Sequence, residues 1–190
     1  PWRIAAGAAL IMDILDRIVR AKRDEIARDK EAMPLRRAIE LATGAPPPRD
    51  FPAALRRPGR LNVIAEIKRA SPSRGGIKEE ADVIAIARAY AAAGAAAISV
   101  LTETRFFLGA PEHLTAVKET VAQPVLRKDF VIDEYQIYES RALGADAVLL
   151  IARLLPAKAL STLLGVCRSL HMEALVEVHA AEEIGKALDA

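Results

Sequence analysis

Residues 63–76 read VIAEIKRASPSRGG. The apolar run at its head has the character of a buried strand, and period-two geometry then points Glu66 and Lys68 to the same face. Burying two ionised side chains side by side is costly unless they pair or meet a ligand. A strand that accepts them therefore serves chemistry, or it holds a plain buried salt bridge. The SPSRGG loop behind it offers two hydroxyls, backbone N–H groups and Arg74 to an anion, with an ordinary turn as the alternative.

Four more strand-like runs follow, with helical patterns between them: AAISVLTE at 96–103, PVLRKDF at 124–130, DAVLLIA at 146–152 and ALVEVHA at 174–180. Gly94 and Gly144 each stand where a helix closes just before the next strand, the C′ position that favours glycine. This alternation argues for parallel strands joined by right-handed helical crossovers, in either an open doubly wound sheet or a barrel. The polar residues separate the two. An open sheet gathers its ligand on loops at a topological switch, whereas Glu66, Lys68, Lys128 and Glu177 lie within or at the ends of three different strands. Convergence of several strand ends on one point predicts a (β/α)8 TIM-barrel active site. At about 31 residues per unit, three further units need roughly 90 more residues. The expectation over 61–190 is thus a barrel truncated after strand five and its helix.

Residues 1–60 read as an N-terminal helical extension and a Pro-rich connector. Ile14, Leu15, Ile18, Val19 and Ile26 recur at helical spacing, predicting an amphipathic helix from Met12 to about Asp29. A second, short helix is predicted from Pro34, a residue suited to a first helical turn. APPPRDFPAALRRPGR, residues 45–60, then punctuates the chain. Met12 is the first methionine, and the natural start is expected there, with residues 1–11 as an upstream remnant.

The chain has 190 residues, is 52% hydrophobic and carries a net charge of +2, the composition of a soluble globular protein with one sizeable core. No stretch reads as a membrane span. A single cysteine, Cys167, rules out an intrachain disulfide and points to a reducing cytoplasm. His113, His171 and His179 show no metal-ligand spacing, so no metal is expected. Residues 1–60 hold 13 Lys and Arg against 8 Asp and Glu, a surplus read mostly as a solvated helix face or as a basic cover over an anionic ligand. Aromatic residues make up 4% of the chain, too few for a stacking nucleic-acid surface.

Four blocks resemble the indole-3-glycerol-phosphate synthase family: VIAEIKRASPSRGGI; AISVLTE with FFLG at 106–109; PVLRKDFVIDEYQIYESRALGADAVLLI; and ALVEVH. In order and spacing they cover nearly all of residues 62–190. The resemblance implies a cofactor-free lyase that closes a ring on 1-(2-carboxyphenylamino)-1-deoxyribulose 5-phosphate, releasing carbon dioxide and water; the alternatives are another phosphate-binding barrel such as a phosphoribosyl isomerase, or a non-catalytic fragment that binds only a ligand or a complementary C-terminal piece. The residues suit the demands of the ring closure. Ring attack on a ketone builds negative charge on oxygen, which an ammonium in a dry pocket stabilises or protonates, and Lys128 is the candidate. The later loss of water and a proton calls for a carboxylate, Glu177 or Glu66. By the same resemblance Glu177 joins Lys128 in acid–base work, Glu66 orients the network and serves as final base, and Lys68 binds the substrate carboxylate or phosphate or acts as an acid. Phe107, Phe130 and Leu149 resemble the family's apolar walls around the aromatic ring; without the resemblance each reads as core. Ser71 resembles the residue that borders the substrate. The expected partners are a phosphorylated small molecule and a complementary C-terminal barrel segment, with neither nucleic acid nor membrane.

Overall fold

The computed structural model describes the backbone of residues 2–71, 75–76 and 82–190, and the side chains of 14–69 and 82–190. Three helices come first: α1 (Trp2–Ala32), α2 (Leu35–Gly44) and α3 (Phe51–Leu55). After them strands and helices alternate: β1 (Ile64–Ile67), the two-residue strands β2 (Ala70–Ser71) and β3 (Gly75–Gly76), α4 (Val83–Ala92), β4 (Ala97–Leu101), α5 (Pro111–Thr120) and β5 (Val125–Lys128). The series closes with α6 (Glu134–Ala142), β6 (Ala147–Ile151), a short 3-10 turn, α7 (Ala157–Ser169), β7 (Glu173–Glu177) and α8 (Ala181–Leu188). No helix among the described residues is long and apolar enough to cross a membrane.

Five strands form one sheet in the order β1-β4-β5-β6-β7, and every pairing in it is parallel. Chain order and spatial order agree, so the sheet has no reversal point. That excludes the doubly wound alternative, whose ligand site depends on such a reversal. Gly94 and Gly144 adopt φ of +84° and +93° directly after α4 and α6, which satisfies the expectation of left-handed glycines at those helix ends.

Paired positions define a hydrogen-bonded row across the sheet, Ile67, Val100, Arg127, Val148 and Ala174. Side chains of the row and of positions two away along each strand face the helices. Ile67, Val100 and Val148 there join Ile98, Val125 and Leu150 in the main hydrophobic cluster. Alternate positions face the other side of the sheet. At its N-terminal end, Ala97, Leu126 and Ala147 pack against Phe51 of α3, which is 4% exposed and plugs that end. Full burial of such a ring contributes roughly 1.5–3 kcal/mol.

The Pro-rich connector is held to the same end by charge. Asp146, fully buried at the head of β6, accepts from the backbone N–H of Arg49 at 2.6 Å, the backbone N–H of Val125 at 2.7 Å and the ammonium of Lys118. Arg49 in turn donates to the carbonyls of Gln123 and Lys118, both at 2.9 Å. Ala38 and Ala42, both buried, give α2 a small-residue face, and α2 packs on α6.

Two local expectations change. The first helix begins ten residues before Met12, because the alanine-rich stretch there has high helix propensity and no proline to stop it. Pro34 occupies the N-cap of α2 rather than its first turn.

Candidate active site

Relative to the hydrogen-bonded row, Glu66 stands one residue before it on β1, Lys128 one after it on β5, and Glu177 three after it on β7. The three side chains thus climb one residue per strand. A flat sheet would leave them on different levels; strands tilted with that stagger bring them to one level. Eight strands closing with a shear of 8 have this same average stagger, and in such barrels each layer is drawn from alternate strands. Leu101 and Ile151, from the intervening strands β4 and β6, form the apolar level above.

The charges meet at this level. The ammonium of Lys128 lies 3.6 Å from Glu66 Oε2 and 3.6 Å from Glu177 Oε2, while Lys68 approaches Glu66 Oε1 to 2.9 Å. Glu66 and Lys68 therefore form a salt bridge as well as facing a cavity. At 3.6 Å the Lys128 contacts are electrostatic rather than close hydrogen bonds, so its N–H donors remain available to a ligand. Glu66, Lys128 and Glu177 each keep about a third of their side-chain surface. They line, with Lys68, a cavity of about 570 Å³, within the usual range for a small-molecule site.

One wall of the cavity is apolar. Phe107, Phe130 and Leu149 all line it, with the two phenyl rings 6.0 Å apart and tilted by 38°. Phe130 and Leu149 are buried against Ile18 and Ile151, and the same cluster shows a face to the cavity. Glu103, 1% exposed, seats the phenylalanine loop by accepting the backbone N–H groups of Arg105, Phe106 and Phe107. Gly109 closes that loop; a Cβ there would stand 2.5 Å from the carbonyl oxygen of Leu101. Ser71 lies on β2, paired in antiparallel fashion with Gly75, and its side chain is outside the described residues, as are Pro72, Ser73 and Arg74 of the loop.

Three contributions to the cavity escaped sequence reasoning. Leu15 of α1 lines it, and Ile18 packs behind Phe130, so the amphipathic face of α1 covers the site rather than a remote core. Arg153 from the turn after β6 and His179 from the segment after β7 also line it. His179 Nε2 donates to Glu177 Oε1 at 2.7 Å. The i, i+2 relation of His179 to Glu177 is the sequence signal for a shared face.

The opposite face of β5 carries a separate network. Asp129 Oδ2 accepts from the Thr102 hydroxyl at 2.6 Å and from Arg127 at 3.2 Å, and Oδ1 meets Lys22 of α1 at 3.0 Å. Arg127 continues to Glu139 at 2.6 Å. Burial pushes the Asp129 carboxyl up, but Arg127, then Lys22 and Thr102, outweigh it and hold the group below the usual carboxylate range. Lys22 is 1% exposed, a buried exception in a basic surplus that is otherwise mostly exposed, as Arg17, Arg20, Arg23, Arg28, Arg36, Arg37, Arg56, Arg57 and Arg60 are. Asp129 pairs across these elements and not with its neighbour Lys128, as opposite strand faces require.

The class these observations define is a parallel α/β protein, its sheet consistent with part of a barrel, with an ammonium set between two carboxylates at the C-terminal strand ends. Comparison with known proteins narrows the class. The family model for indole-3-glycerol phosphate synthase matches residues 15–190. The chain is 48% identical over 183 residues to the indole-3-glycerol phosphate synthase of Roseiflexus sp. (strain RS-1), covering 93% of this chain and 68% of that protein. It is 47% identical over 182 residues to that of Carboxydothermus hydrogenoformans, with 93% and 69% covered. Against that of Neisseria meningitidis serogroup C the identity is 49% over 177 residues, with 92% and 68% covered. The chain belongs to the indole-3-glycerol phosphate synthase family, lyases of tryptophan biosynthesis.

Proposed function

We propose that the cavity closes the indole ring of 1-(2-carboxyphenylamino)-1-deoxyribulose 5-phosphate, with loss of carbon dioxide and water. The observation that carries this reading is the Lys128 ammonium at 3.6 Å from each of two carboxylates on one level of the sheet. The aromatic carbon bearing the carboxylate attacks the ketone, and Lys128 gives a proton to the developing alkoxide. Carbon dioxide then leaves and restores the ring. Glu177 assists departure of the hydroxyl as water, and Glu66 takes the final proton from carbon. Lys68, paired with Glu66, receives the substrate carboxylate or phosphate. Phe107, Phe130 and Leu149 hold the aromatic ring against Leu15 of α1, and Ser71 borders the substrate from β2. The chemistry asks for no cofactor or metal.

The barrel reading of the sheet belongs to the same proposal. Its support is the stagger of one residue per strand together with the apolar side chains left at its open side. Leu61, Val63, Leu175, Val178, Ile184 and Leu188 are 37–84% exposed along β1, β7 and α8. We propose that further β/α units, in the same chain or as a complementary segment, pair with those edges and complete the phosphate-binding face.

The test is conversion of the carboxyphenylamino ribulose phosphate to indole-3-glycerol phosphate, followed by product fluorescence with and without a complementary segment from a family relative. Lys128→Met should bind substrate with little change in affinity and lose about 10²-fold or more in turnover. Unchanged turnover in that variant would remove Lys128 from the mechanism. Full turnover by the unsupplemented monomer would refute the need for further units.

A further inference from the structure

We propose that His179 is a positioning residue for Glu177, holding one carboxylate oxygen so that the other faces Lys128 and the substrate. The inference rests on the acid–base reading of Glu177 and extends it to a residue that the family resemblance did not assign.

Glu177 stands at the end of β7, where the ladder stops and about a third of the side chain is open to the cavity. An unrestrained carboxylate there samples several poses, and a proton-transfer group must be held within a few tenths of an ångström of its working geometry. His179 supplies the restraint. Its Nε2–H meets Oε1 at 2.7 Å, a short contact, whereas Oε2 is left 3.6 Å from the Lys128 ammonium. The two oxygens are thereby given different tasks, one structural and one open to the cavity.

His179 is itself held from behind. Its backbone N–H donates at 2.7 Å to Glu183 Oε2 in the first turn of α8, and Glu183 Oε1 meets Arg153 at 3.4 Å. The bond from the His179 N–H, with Arg153 adding to it against a small effect of burial, holds the Glu183 carboxyl below its ordinary range, so the anchor stays ionised. Arg153, Glu183, His179, Glu177, Lys128, Glu66 and Lys68 then form one string around the cavity mouth, and each member contacts the next. Glu177 is the point at which the string passes from scaffold to site. The imidazole lines the cavity, with about half of its side-chain surface exposed, so the restraint sits at the solvent side of Glu177 and not under the substrate.

The first readout needs no turnover. In long-range ¹H–¹⁵N spectra of the uniformly labelled chain at mildly alkaline pH, the His179 ring, assigned by its loss in His179→Gln, should show the Nε2–H tautomer. Its nitrogen shifts should change in Glu177→Ala. An Nδ1–H ring, or shifts indifferent to Glu177→Ala, would overturn the contact and with it the proposal. The second readout is kinetic, in the assay supplemented with the complementary segment: His179→Ala should lower kcat by about 10-fold to 100-fold, with KM changed by less than about threefold, since the lost contact orients a group rather than binds substrate. His179→Gln, whose amide nitrogen reaches the place of Nε2, should recover most of that loss. A wild-type kcat in His179→Ala alongside an inactive Glu177→Gln would sink this inference alone. Full activity in Glu177→Gln would sink the acid–base reading of Glu177 beneath it.

Discussion

Successive residues of β5 belong to two different kinds of polar chemistry. Arg127 and Asp129, on the helix-facing side, are 2% exposed each and saturated: Asp129 takes donors from Thr102, Arg127, Lys22 and the backbone of Phe130. Lys128, between them in sequence, faces the interior with about a third of its side chain open and its two carboxylate neighbours at 3.6 Å. A charge network that satisfies every member locks elements together, here α1, β4, β5 and α6. A network left loose keeps donors and acceptors for a ligand. The alternation of the strand is what allows both to coexist within three residues.

The largest expected effect breaks the saturated side. Asp129→Ala leaves Arg127 and Lys22 buried without their shared anion, and it should lower the unfolding free energy by about 3–5 kcal/mol in urea titrations. An effect on the scale of an exposed pair, under about 1 kcal/mol, would show that the network is loose after all. The same carboxylate sets a pH limit. Because its folded value is depressed, its contribution is fully present above the ordinary carboxylate range and is lost as pH falls through the folded value. Urea midpoints measured into strong acid should therefore keep falling below the range in which surface carboxylates titrate, and this low-pH portion should vanish in Asp129→Asn.

On the open side the signature is reversed. Lys128→Met should lose about 10²-fold in turnover, about 2.7 kcal/mol of barrier, while stability shifts by less than about 1 kcal/mol. A Lys128→Met chain that loses several kcal/mol of stability and yet retains turnover would invert the comparison. Smaller again is the cap of α6, where Asp133 accepts from Tyr135 N–H at 2.9 Å and Gln136 completes a reciprocal box. Asp133→Ala should cost about 1 kcal/mol by thermal or chemical denaturation. Smallest is an effect of no consequence to folding: burial pushes the Cys167 thiol up to about 12, so thiol reagents at neutral pH should label it only at the rate of unfolding. Rapid labelling of the native chain would contradict its packing from α7 into the main hydrophobic cluster.

Much of the site was legible because strands have a period of two. Glu66 and Lys68 share a face by that rule alone, and Lys128 is separated by it from Asp129. The stretch EVH carries the same signal for His179, which metal-ligand spacing alone does not bring out. The role of α1 could not be read in this way. Leu15 and Ile18 announce an amphipathic helix, yet nothing local says whether its apolar face meets a core or covers a cavity, since that depends on where β5 and β6 place Phe130 and Leu149. Lys22 likewise reads as surface charge until Asp129, more than a hundred residues away, is brought beside it.

The sequence by itself determined the alternation of strand and helix, the parallel sheet, the glycine helix ends and the candidate charges, because each follows from periodicity or from backbone conformations that only certain residues accept. Tertiary structure decided which of those charges meet and which are locked away. The reason is geometric: side-chain direction repeats within a few residues, but the level at which Glu66, Lys128 and Glu177 come together depends on the stagger between strands far apart in the chain. Only the assembled sheet sets that stagger.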